Sequence, residues 1–180
     1  MSFIEKIKSR RSVRKYTDQV INREVVEEIV DAARFSPSWK NTQIVRYYAV
    51  EDAKLKSQIA EDCVMDFAFN TKTISRSNMV MVVTFVSGIS GYEKDGSFST
   101  PIENGWERFD AGIATQTFCL AAHEKGIGTV ILGIFDDKKV KETLGLSDNE
   151  KVAALIAMGY PEKSNPAPPR KEVSELLKFL

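Results

Sequence analysis

The sequence predicts an α+β fold in which one central β-sheet is covered by helices on both faces. Helical and strand-like segments alternate along the whole chain, without internal repeats or low-complexity stretches. Residues 79–86 are apolar nearly throughout, which is typical of a strand covered on both faces. Residues 106–125 form the longest helical pattern, with apolar or small side chains on several sides, which indicates burial all round. With 180 residues and 43% hydrophobic content, the chain is expected to form one domain over residues 1–180.

Two helices are predicted before the first strand. Residues 2–9 begin with Ser-Phe-Ile-Glu, which has the spacing of a capping box for a helix that ends near the ninth residue. Residues 22–35 begin with Asn, a favourable N-cap, and their apolar side chains recur at helical spacing. The sequence Ser-Pro-Ser at residues 36–38 ends this second helix. A basic run at residues 10–15 therefore lies at the exit of the first helix.

Two strands with a helix between them are predicted in the middle of the chain. Residues 44–50 are rich in β-branched and aromatic side chains, which favours a strand. A helical pattern at residues 54–66 separates it from the apolar strand at residues 79–86. Residues 88–105 contain Gly, Ser and one Pro without periodicity, so we expect a long mobile loop there.

The last third of the chain completes a sheet of at least four strands. Gly126 follows the long helix in the position of a helix stop. Residues 129–135 and 152–158 are predicted strands, and they flank a helix at residues 137–144 that Gly145 terminates.

A C-terminal arm is expected over residues 161–180. Its first part, residues 161–169, is rich in Pro and should be extended, and residues 171–180 can form a short helix. Such a terminal segment is ordered only where something holds it, so we expect it to pack on a partner subunit.

Composition argues against several classes of function. Lys and Arg total 25 and Asp and Glu total 25, so the net charge is zero, which disfavours a general nucleic-acid binder and leaves room for an oligomer. Cys63 and Cys119 are expected to be reduced, partly buried thiols, and no cluster has the spacing of a metal site. His123 is the only histidine and lies in a helical pattern, which argues against a hydrolase triad. No segment resembles a secretory signal or a membrane span, so we expect a soluble cytoplasmic protein without membrane contact.

The basic run has two interpretations. Arg binds phosphate through two parallel charge-assisted hydrogen bonds, so Arg10 and Arg11 followed by Ser12 suit a phosphomonoester better than a diffuse polyanion. The same cluster can also be a solvated surface, or a charge complement at the end of a helix. The run alone does not decide between the two.

Four separated motifs, taken together, resemble the nitroreductase family of FMN-dependent oxidoreductases. They are Arg10, Arg11, Ser12 and Arg14 after a helix; Pro37, Ser38, Asn41 and Gln43; a long helix that leads into Gly126 and Gly128; and Arg170 with Lys171 after a Pro-rich stretch. Ile44 and Val45 differ from the Pro-Trp pair that many members of the family have next. The resemblance covers essentially the whole chain. It implies a mostly antiparallel central sheet and a homodimer whose subunits exchange their C-terminal arms.

The resemblance also implies FMN bound at the subunit interface. Arg10, Ser12 and Arg170 would hold its phosphate, with Arg11 and Lys171 as further contacts. These residue types suit that role because guanidinium groups and a hydroxyl are strong donors to phosphate oxygens.

Other positions are implied around the flavin ring. Arg14 would lie beside the pyrimidine edge, where a fixed cation stabilises the reduced anion. Ser38, Asn41 and Gln43, from the second subunit, would contact the ribityl chain and ring edge. Backbone groups of Gly133 and Ile134 would lie near the reducible ring nitrogen, and Asn70 and Lys72 match a further contacting pair of some relatives.

The implied activity is ping-pong transfer of hydride from NAD(P)H through FMN to a nitroaromatic, a quinone or a similar small conjugated acceptor. No side chain is expected to act as a general acid or base. Because no Gly-x-Gly-x-x-Gly follows a strand, the nicotinamide donor would have to enter the flavin pocket itself. Tyr92, Phe98 and Trp106, in the segment from Gly88 to Trp106, are candidates for the wall of the acceptor pocket, and equally for surface anchors or core residues.

Three alternatives stay open. The protein can be an FMN store or sensor without turnover, or an FMN dehydrogenase of the same family that does not reduce nitro groups. A third alternative uses the basic run to bind nucleic acid or another anionic partner, which the balanced net charge disfavours.

Overall fold

A four-stranded β-sheet forms the centre of the protein in the computed structural model, which describes residues 2–163 and 165–180. Met1 and Ser164, which fall within the predicted domain and the predicted arm respectively, lie outside the described residues. The strands are β1 (Val45–Val50), β2 (Met79–Val86), β3 (Gly128–Leu132) and β4 (Glu150–Gly159). They are arranged in the order β1, β2, β4, β3. Every neighbouring pair is antiparallel, so the antiparallel sheet implied by the resemblance is confirmed.

The α-helices found in the described parts of the chain surround this sheet. They are α1 (Phe3–Ser9), α2 (Arg23–Ala33), α3 (Ala53–Asp62), α4 (Ala68–Arg76), α5 (Gly105–Glu124), α6 (Asp137–Leu144) and α7 (Val173–Leu176). A single 3-10 turn, Trp39–Asn41, lies between α2 and β1. None of these helices is long and apolar enough to cross a membrane.

Side chains alternate along β2 and build one apolar layer on each face of the sheet. Met79, Met81 and Val83 pack with α2 and α5, whereas Val80 and Val82 pack with α3, α4 and α6. Every residue of β2 except the last is buried. The prediction of a central strand with helices on both faces is therefore confirmed.

One predicted helix is in fact two helices. The helix predicted at residues 54–66 ends at Asp62, and residues 65–66 have left-handed backbones with φ of 53° and 56°. The chain then forms α4, which we did not predict because its Thr, Ser and Asn residues have modest helix propensity. Tertiary packing stabilises α4 instead, since Asn70 and Ile74 are buried.

The third strand ends three residues earlier than predicted, at Leu132. The chain leaves the sheet there because its polar groups find other partners. The Asp136 N–H donates to the Cys63 carbonyl at 2.7 Å. Asn70 Nδ2 donates to the Ile134 carbonyl at 2.8 Å. These bonds bring the segment after β3 to the ends of α3 and α4.

The C-terminal arm has less helix than predicted. The helix predicted at residues 171–180 is limited to the four residues of α7, and residues 166–180 are exposed. The remaining predicted helices and strands agree with the structure to within two residues at each end.

Candidate functional site

A cleft of about 990 Å³ opens between the basic run, α4 and the C-terminal arm. Its charged lining residues are Arg10, Arg11, Arg14, Lys15, Lys72, Arg76, Lys163 and Arg170. Among the described residues no acidic side chain lines it. We call this site the cationic cleft. Its size lies within the range of roughly 300–1,000 Å³ that is usual for cofactor sites, so it suits an anionic ligand about as large as a nucleotide.

The basic run is extended and lies beside β3. The Val13 N–H donates to the Thr129 carbonyl at 3.0 Å, and Ser12 forms an isolated parallel bridge with the same residue. Successive side chains of an extended chain point to opposite sides. Val13 is therefore buried against the sheet, while Ser12 and Arg14 line the cationic cleft.

Two glycines allow this close approach. A Cβ at Gly128 would lie 2.6 Å from Val13 Cγ2 and 3.0 Å from Pro161 Cγ. A Cβ at Gly159 would lie 2.8 Å from Tyr16 Cδ1. From the sequence, Gly128 is interpreted as a motif residue in a turn and Gly159 is not singled out, because a sequence does not distinguish a glycine needed for contact from one needed for a turn.

The cations of the cleft lack acidic partners. None of the eight forms an ion pair within residues 2–163 and 165–180. Arg11 is partly engaged, since its Nη1 donates to the carbonyls of Lys8 at 2.6 Å and Arg10 at 2.9 Å, at the end of α1. Its Nε is buried without a hydrogen-bond partner. Arg11 therefore fits the interpretation as a charge complement at a helix end, and Arg10 and Arg14 do not share those contacts.

The C-terminal arm contributes one of its two predicted site residues to the cleft. Arg170 lines the cleft, although it is far from Ser12 in sequence. Asn165 Nδ2 donates to the Ser12 carbonyl at 3.0 Å and so joins the arm to the basic run. Lys171 lies outside the lining, with Nζ 4.0 Å from Glu175 Oε1.

Gly133 and Ile134 lie just after β3, outside the lining of the cleft. Ile134 is joined by Asn70 to α4, whose residues Phe69 and Lys72 form one wall. A Cβ at Gly133 would meet no atom within 4 Å, and its φ is not left-handed. Within the described chain, neither the surrounding space nor the backbone conformation requires a glycine at residue 133.

The loop of residues 38–43, which we call the polar loop, does not reach the cationic cleft of its own chain. Ser38 and Gln43 line a second cleft of about 610 Å³ between α2, β1 and α5, and Asn41 is exposed beside them. A single chain thus separates the polar loop from Arg10 and the other cations.

The backbone of the polar loop is strained. Three non-glycine residues have positive φ: Lys40 (44°), Asn41 (57°) and Gln43 (50°). Such a backbone costs roughly 1–2 kcal/mol for each residue, and less for Asn. The Gln43 N–H donates to Ser38 Oγ at 3.0 Å, which closes the loop on itself.

The loop of residues 87–104, which we call the long loop, packs on the polar loop. Thr42 Oγ1 lies 2.6 Å from Ser90 Oγ. Next to this contact, the ring of Trp106 at the start of α5 lies with its centroid 4.6 Å from that of Trp39 in the polar loop. The polar loop and the long loop thus form one connected layer.

Two buried carboxylates near the start of α5 hold this layer. Glu107, 1% exposed, accepts hydrogen bonds from the Gly88 N–H and, at 3.2 Å, from the Ser87 hydroxyl. Asp110, 2% exposed, accepts from the Ser90 hydroxyl at 2.6 Å. We missed both because acidic residues on a helix usually face solvent.

His123, at the end of α5, reaches the basic run. Its Nε2 lies 2.9 Å from Ser9 Oγ. Burial, followed by the positive charges of Arg10 and Lys6, lowers the pKa of His123 below its ordinary value. The ring is therefore neutral at pH 7.

The two cysteines are buried free thiols. Burial raises the pKa of each, so neither is a thiolate at neutral pH. No group of three or more His, Cys, Asp or Glu in the described residues could hold a metal ion.

Comparisons with known proteins place the chain in one family. The sequence model described as "Nitroreductase family" matches residues 7–160. A protein of Archaeoglobus fulgidus, provisionally named an NADH dehydrogenase/NAD(P)H nitroreductase, is 30% identical in an alignment of 163 residues that covers 88% of this chain and 85% of that protein. The FMN reductase [NAD(P)H] of Bacillus subtilis is 28% identical, over 93% of this chain and 69% of that protein.

A solved structure agrees with these relatives. The crystal structure of a nitroreductase family protein from Clostridium novyi NT superposes with a TM-score of 0.77 and 31% identity, over 97% of this chain and 91% of that one. The family model matches most of the chain, and relatives of about 30% identity cover most of it as well. The chain therefore belongs to the nitroreductase family.

Proposed function

We propose that this protein is an FMN-dependent oxidoreductase that transfers hydride from NAD(P)H through FMN, in a ping-pong sequence, to a conjugated acceptor such as a nitroaromatic or a quinone. The observation that carries the proposal is the convergence of Arg10, Ser12, Arg14 and Arg170 in one cleft that has no acidic side chain among its described lining residues. Membership of the nitroreductase family supports it, as does the relative named FMN reductase.

The residues of the cationic cleft fit FMN in charge and space. A phosphate monoester carries close to two negative charges at neutral pH, and the cleft offers cations that have no carboxylate partner in the described chain. The open space beside Gly133 leaves room for the close approach of a flat ring.

Each part of the cofactor would have its own partners. Arg10, Ser12 and Arg170 would hold the phosphate through guanidinium N–H donors and a hydroxyl, with Lys171 available from the arm. Arg14 would place its charge beside the pyrimidine edge of the ring, where negative charge develops on reduction. Bound FMN supplies the hydride chemistry. The protein supplies position and positive charge, and we assign no side chain as a general acid or base.

We further propose that a homodimer completes the site. Ser38, Asn41 and Gln43 lie away from the cationic cleft of their own chain, so they would contact the flavin held by the partner subunit. The arm exposes apolar side chains that a partner subunit could cover: Val173, Leu176, Leu177, Phe179 and Leu180. The second cleft offers apolar lining to receive such side chains, including Val26, Val30, Ile44 and Tyr47.

The acceptor would bind beside the long loop. Because that loop packs on the polar loop, a flavin that meets one of them also lies near the other. The rings of Tyr92 and Phe98 lie 4.9 Å apart, and Phe98 is 46% exposed. Exposed aromatic faces suit flat conjugated acceptors. Trp106 packs on Trp39, so it would support this wall rather than contact the acceptor.

Anaerobic reduction followed by reoxidation tests the proposal. The purified protein should be yellow, and NADH or NADPH should bleach its bound flavin without oxygen. A nitroaromatic, a quinone or an enone, added separately, should restore the colour.

Each failure has a distinct meaning. A bound flavin that neither nicotinamide bleaches would favour a flavin store or sensor. A flavin that is reduced, but that none of the three acceptors reoxidises, would favour a dehydrogenase with another acceptor. A colourless protein that does not bind added FMN would contradict the cofactor assignment itself.

A further inference from the structure

The buried carboxylate of Asp110 joins segments that are far apart in sequence. Its two oxygens accept from the Trp39 N–H at 3.0 and 3.1 Å. Its Oδ2 also accepts from the Ser90 hydroxyl at 2.6 Å. Since Ser90 uses its hydrogen on Asp110, the hydroxyl of Thr42, 2.6 Å away, is the donor in the next bond. A continuous hydrogen-bonded chain therefore runs from α5 to both ends of the polar loop.

The polar loop depends on such anchors because of its backbone. Left-handed residues persist only where the surrounding structure holds them in that conformation. The bond from the Gln43 N–H to Ser38 Oγ closes the loop but does not attach it to the body of the protein. The ion pair of Lys40 and Glu93, at 3.1 Å, is exposed and therefore weak.

Asp110 supplies the strong attachment. Hydrogen bonds to a carboxylate are charge-assisted, and burial protects them from competition with water. Glu107, one turn earlier, is equally buried, but its bonds go to Ser87 and Gly88 of the long loop. Glu107 therefore anchors only the long loop, whereas Asp110 also anchors the polar loop.

We propose that Asp110 is a positioning residue for cofactor binding, which fixes the shape of the polar loop and thereby the way this loop meets the flavin. Asp110 itself does not touch the cofactor. The inference rests on the proposed function, in which the polar loop contacts FMN bound by the partner subunit. Asp110 lies outside all of the motifs recognised in the sequence.

Small changes at the outer part of the hydrogen-bonded chain test this role without unpairing the carboxylate from Trp39. Thr42→Val should raise the FMN dissociation constant about fivefold, which is the usual effect of one lost hydrogen bond. Ser90→Ala also removes the bond to Asp110, so it should raise this constant further. Titration of the FMN-free, full-length protein, followed by quenching of flavin fluorescence, measures this constant. The double variant should bind FMN no more weakly than Ser90→Ala alone, because Ser90→Ala already removes the bond that Thr42→Val removes.

Ser87→Ala is the matched control. It removes a hydroxyl from the same long loop, but that hydroxyl is bonded to Glu107 and not to Asp110. Its FMN dissociation constant should equal that of the wild type. The visible circular dichroism of the bound flavin, recorded at saturating FMN, should change in Thr42→Val and stay unchanged in Ser87→Ala.

Changes at Asp110 complete the series. Asn keeps an oxygen that can accept from the Trp39 N–H, whereas Ala keeps none, so Asp110→Asn should retain more FMN affinity than Asp110→Ala. Thermal unfolding of each FMN-free variant shows whether a loss of FMN affinity comes from a displaced polar loop or from an unstable fold.

Two results would overturn the positioning role. One is wild-type FMN affinity in both Ser90→Ala and Thr42→Val. The other is a loss of affinity in Ser87→Ala as large as in Ser90→Ala, which would indicate general loosening. Wild-type protein that binds no FMN would instead refute the proposed function, and the positioning role with it.

Discussion

Arg10 and Arg14 lie on one extended segment but meet different surroundings in the cationic cleft. Arg10 is half-buried at the end of α1, and Arg14 is exposed beyond the buried Val13. The first position suits a fixed phosphate contact, whereas the second can place its charge beside a ring. The two arginines should therefore be separable by experiment, although their chemistry is the same.

Arg10→Ala should lose FMN during purification, because a bidentate phosphate contact disappears. Arg14→Ala should keep part of its FMN but lower the flavin reduction potential by roughly 20–40 mV, the equivalent of about 1–2 kcal/mol for two electrons. Flavin content and spectroelectrochemical titration measure the two effects. Arg23→Ala, whose exposed guanidinium pairs with Glu51, should change neither quantity. The opposite pattern would mean that the two roles are exchanged.

Gly133→Ala should leave the stability of the protein nearly unchanged and act only on the flavin. A Cβ here meets no atom within 4 Å and the φ is not left-handed, so the free energy of unfolding should change by less than about 0.5 kcal/mol. If the ring approaches this backbone, the added methyl group should slow flavin reduction by NAD(P)H in stopped-flow experiments. Unchanged reduction would show that the ring lies elsewhere.

His123 should make the protein sensitive to acid. Its pKa in the folded protein is lowered from the ordinary value of 6.5, first by burial and then by Arg10 and Lys6. The unfolded chain therefore takes up this proton more readily, so stability rises with pH in this window. The contribution is complete above the ordinary value and is lost as the pH falls through the lowered one.

His123→Gln removes the titrating group and should therefore lose less unfolding free energy than the wild type between about pH 7.5 and about pH 5. Urea unfolding at both pH values measures the difference. An equal loss in both proteins would show that other groups account for the acid sensitivity.

At the scale of elements, the contact between the basic run and β3 positions the cationic cleft. Gly128→Ala places a methyl group 2.6 Å from Val13 Cγ2, a distance that the packed chain does not tolerate without moving. We expect a loss of about 1–3 kcal/mol in unfolding free energy. FMN affinity should also fall, although Gly128 does not line the cleft. Gly133→Ala is the control for stability, and a Gly128→Ala protein as stable as the wild type would contradict this packing argument.

Elements with strong local signals could be predicted from the sequence. The capping box of Ser2 and Glu5 forms as expected, and Gly145 ends α6 with a φ of 62°. Helix α4 could not be predicted, because buried contacts of Asn70 and Ile74 stabilise it rather than propensity.

The residues of the candidate site also differ in whether a local sequence signal predicts them. Arg10, Arg14 and Arg170 were predictable from local motifs together with the resemblance to a family. Arg76 and Lys163, which also line the cleft, were not predicted. Asp110 was not, because its importance comes from burial and from partners on two distant loops. Interactions between distant segments are set by the fold, and no periodicity or spacing in the sequence reports them.

At the scale of the whole molecule, a net charge of zero hides an uneven distribution. Eight cations line one cleft without an acidic residue among its described lining, so the balancing carboxylates lie elsewhere. Local potential, rather than net charge, therefore governs recognition of an anionic cofactor. Raised ionic strength should weaken FMN binding, since screening acts on charges that are open to solvent.

The C-terminal arm should control both assembly and cofactor retention. Leu176 is 71% exposed and Phe179 is 91% exposed in the single chain. Burying two such side chains for each subunit stabilises a dimer by several kcal/mol. Leu176→Ser combined with Phe179→Ser should therefore raise the dissociation constant of the proposed dimer at least about a hundredfold, measured by sedimentation equilibrium. Val20→Ser, at an apolar position 74% exposed outside the arm, is the matched control and should leave the dimer intact.

The same variant tests whether assembly and cofactor binding are linked. If the polar loop contacts the flavin of the partner subunit, FMN should dissociate from the variant over the same range of protein concentration in which the dimer dissociates. Saturating FMN should in turn shift the dissociation towards lower protein concentration, because a ligand bound only by the dimer stabilises it. A wild-type protein that is monomeric and keeps its FMN would contradict the shared site, and a dimeric variant with full flavin content would show that the arm does not hold the subunits together.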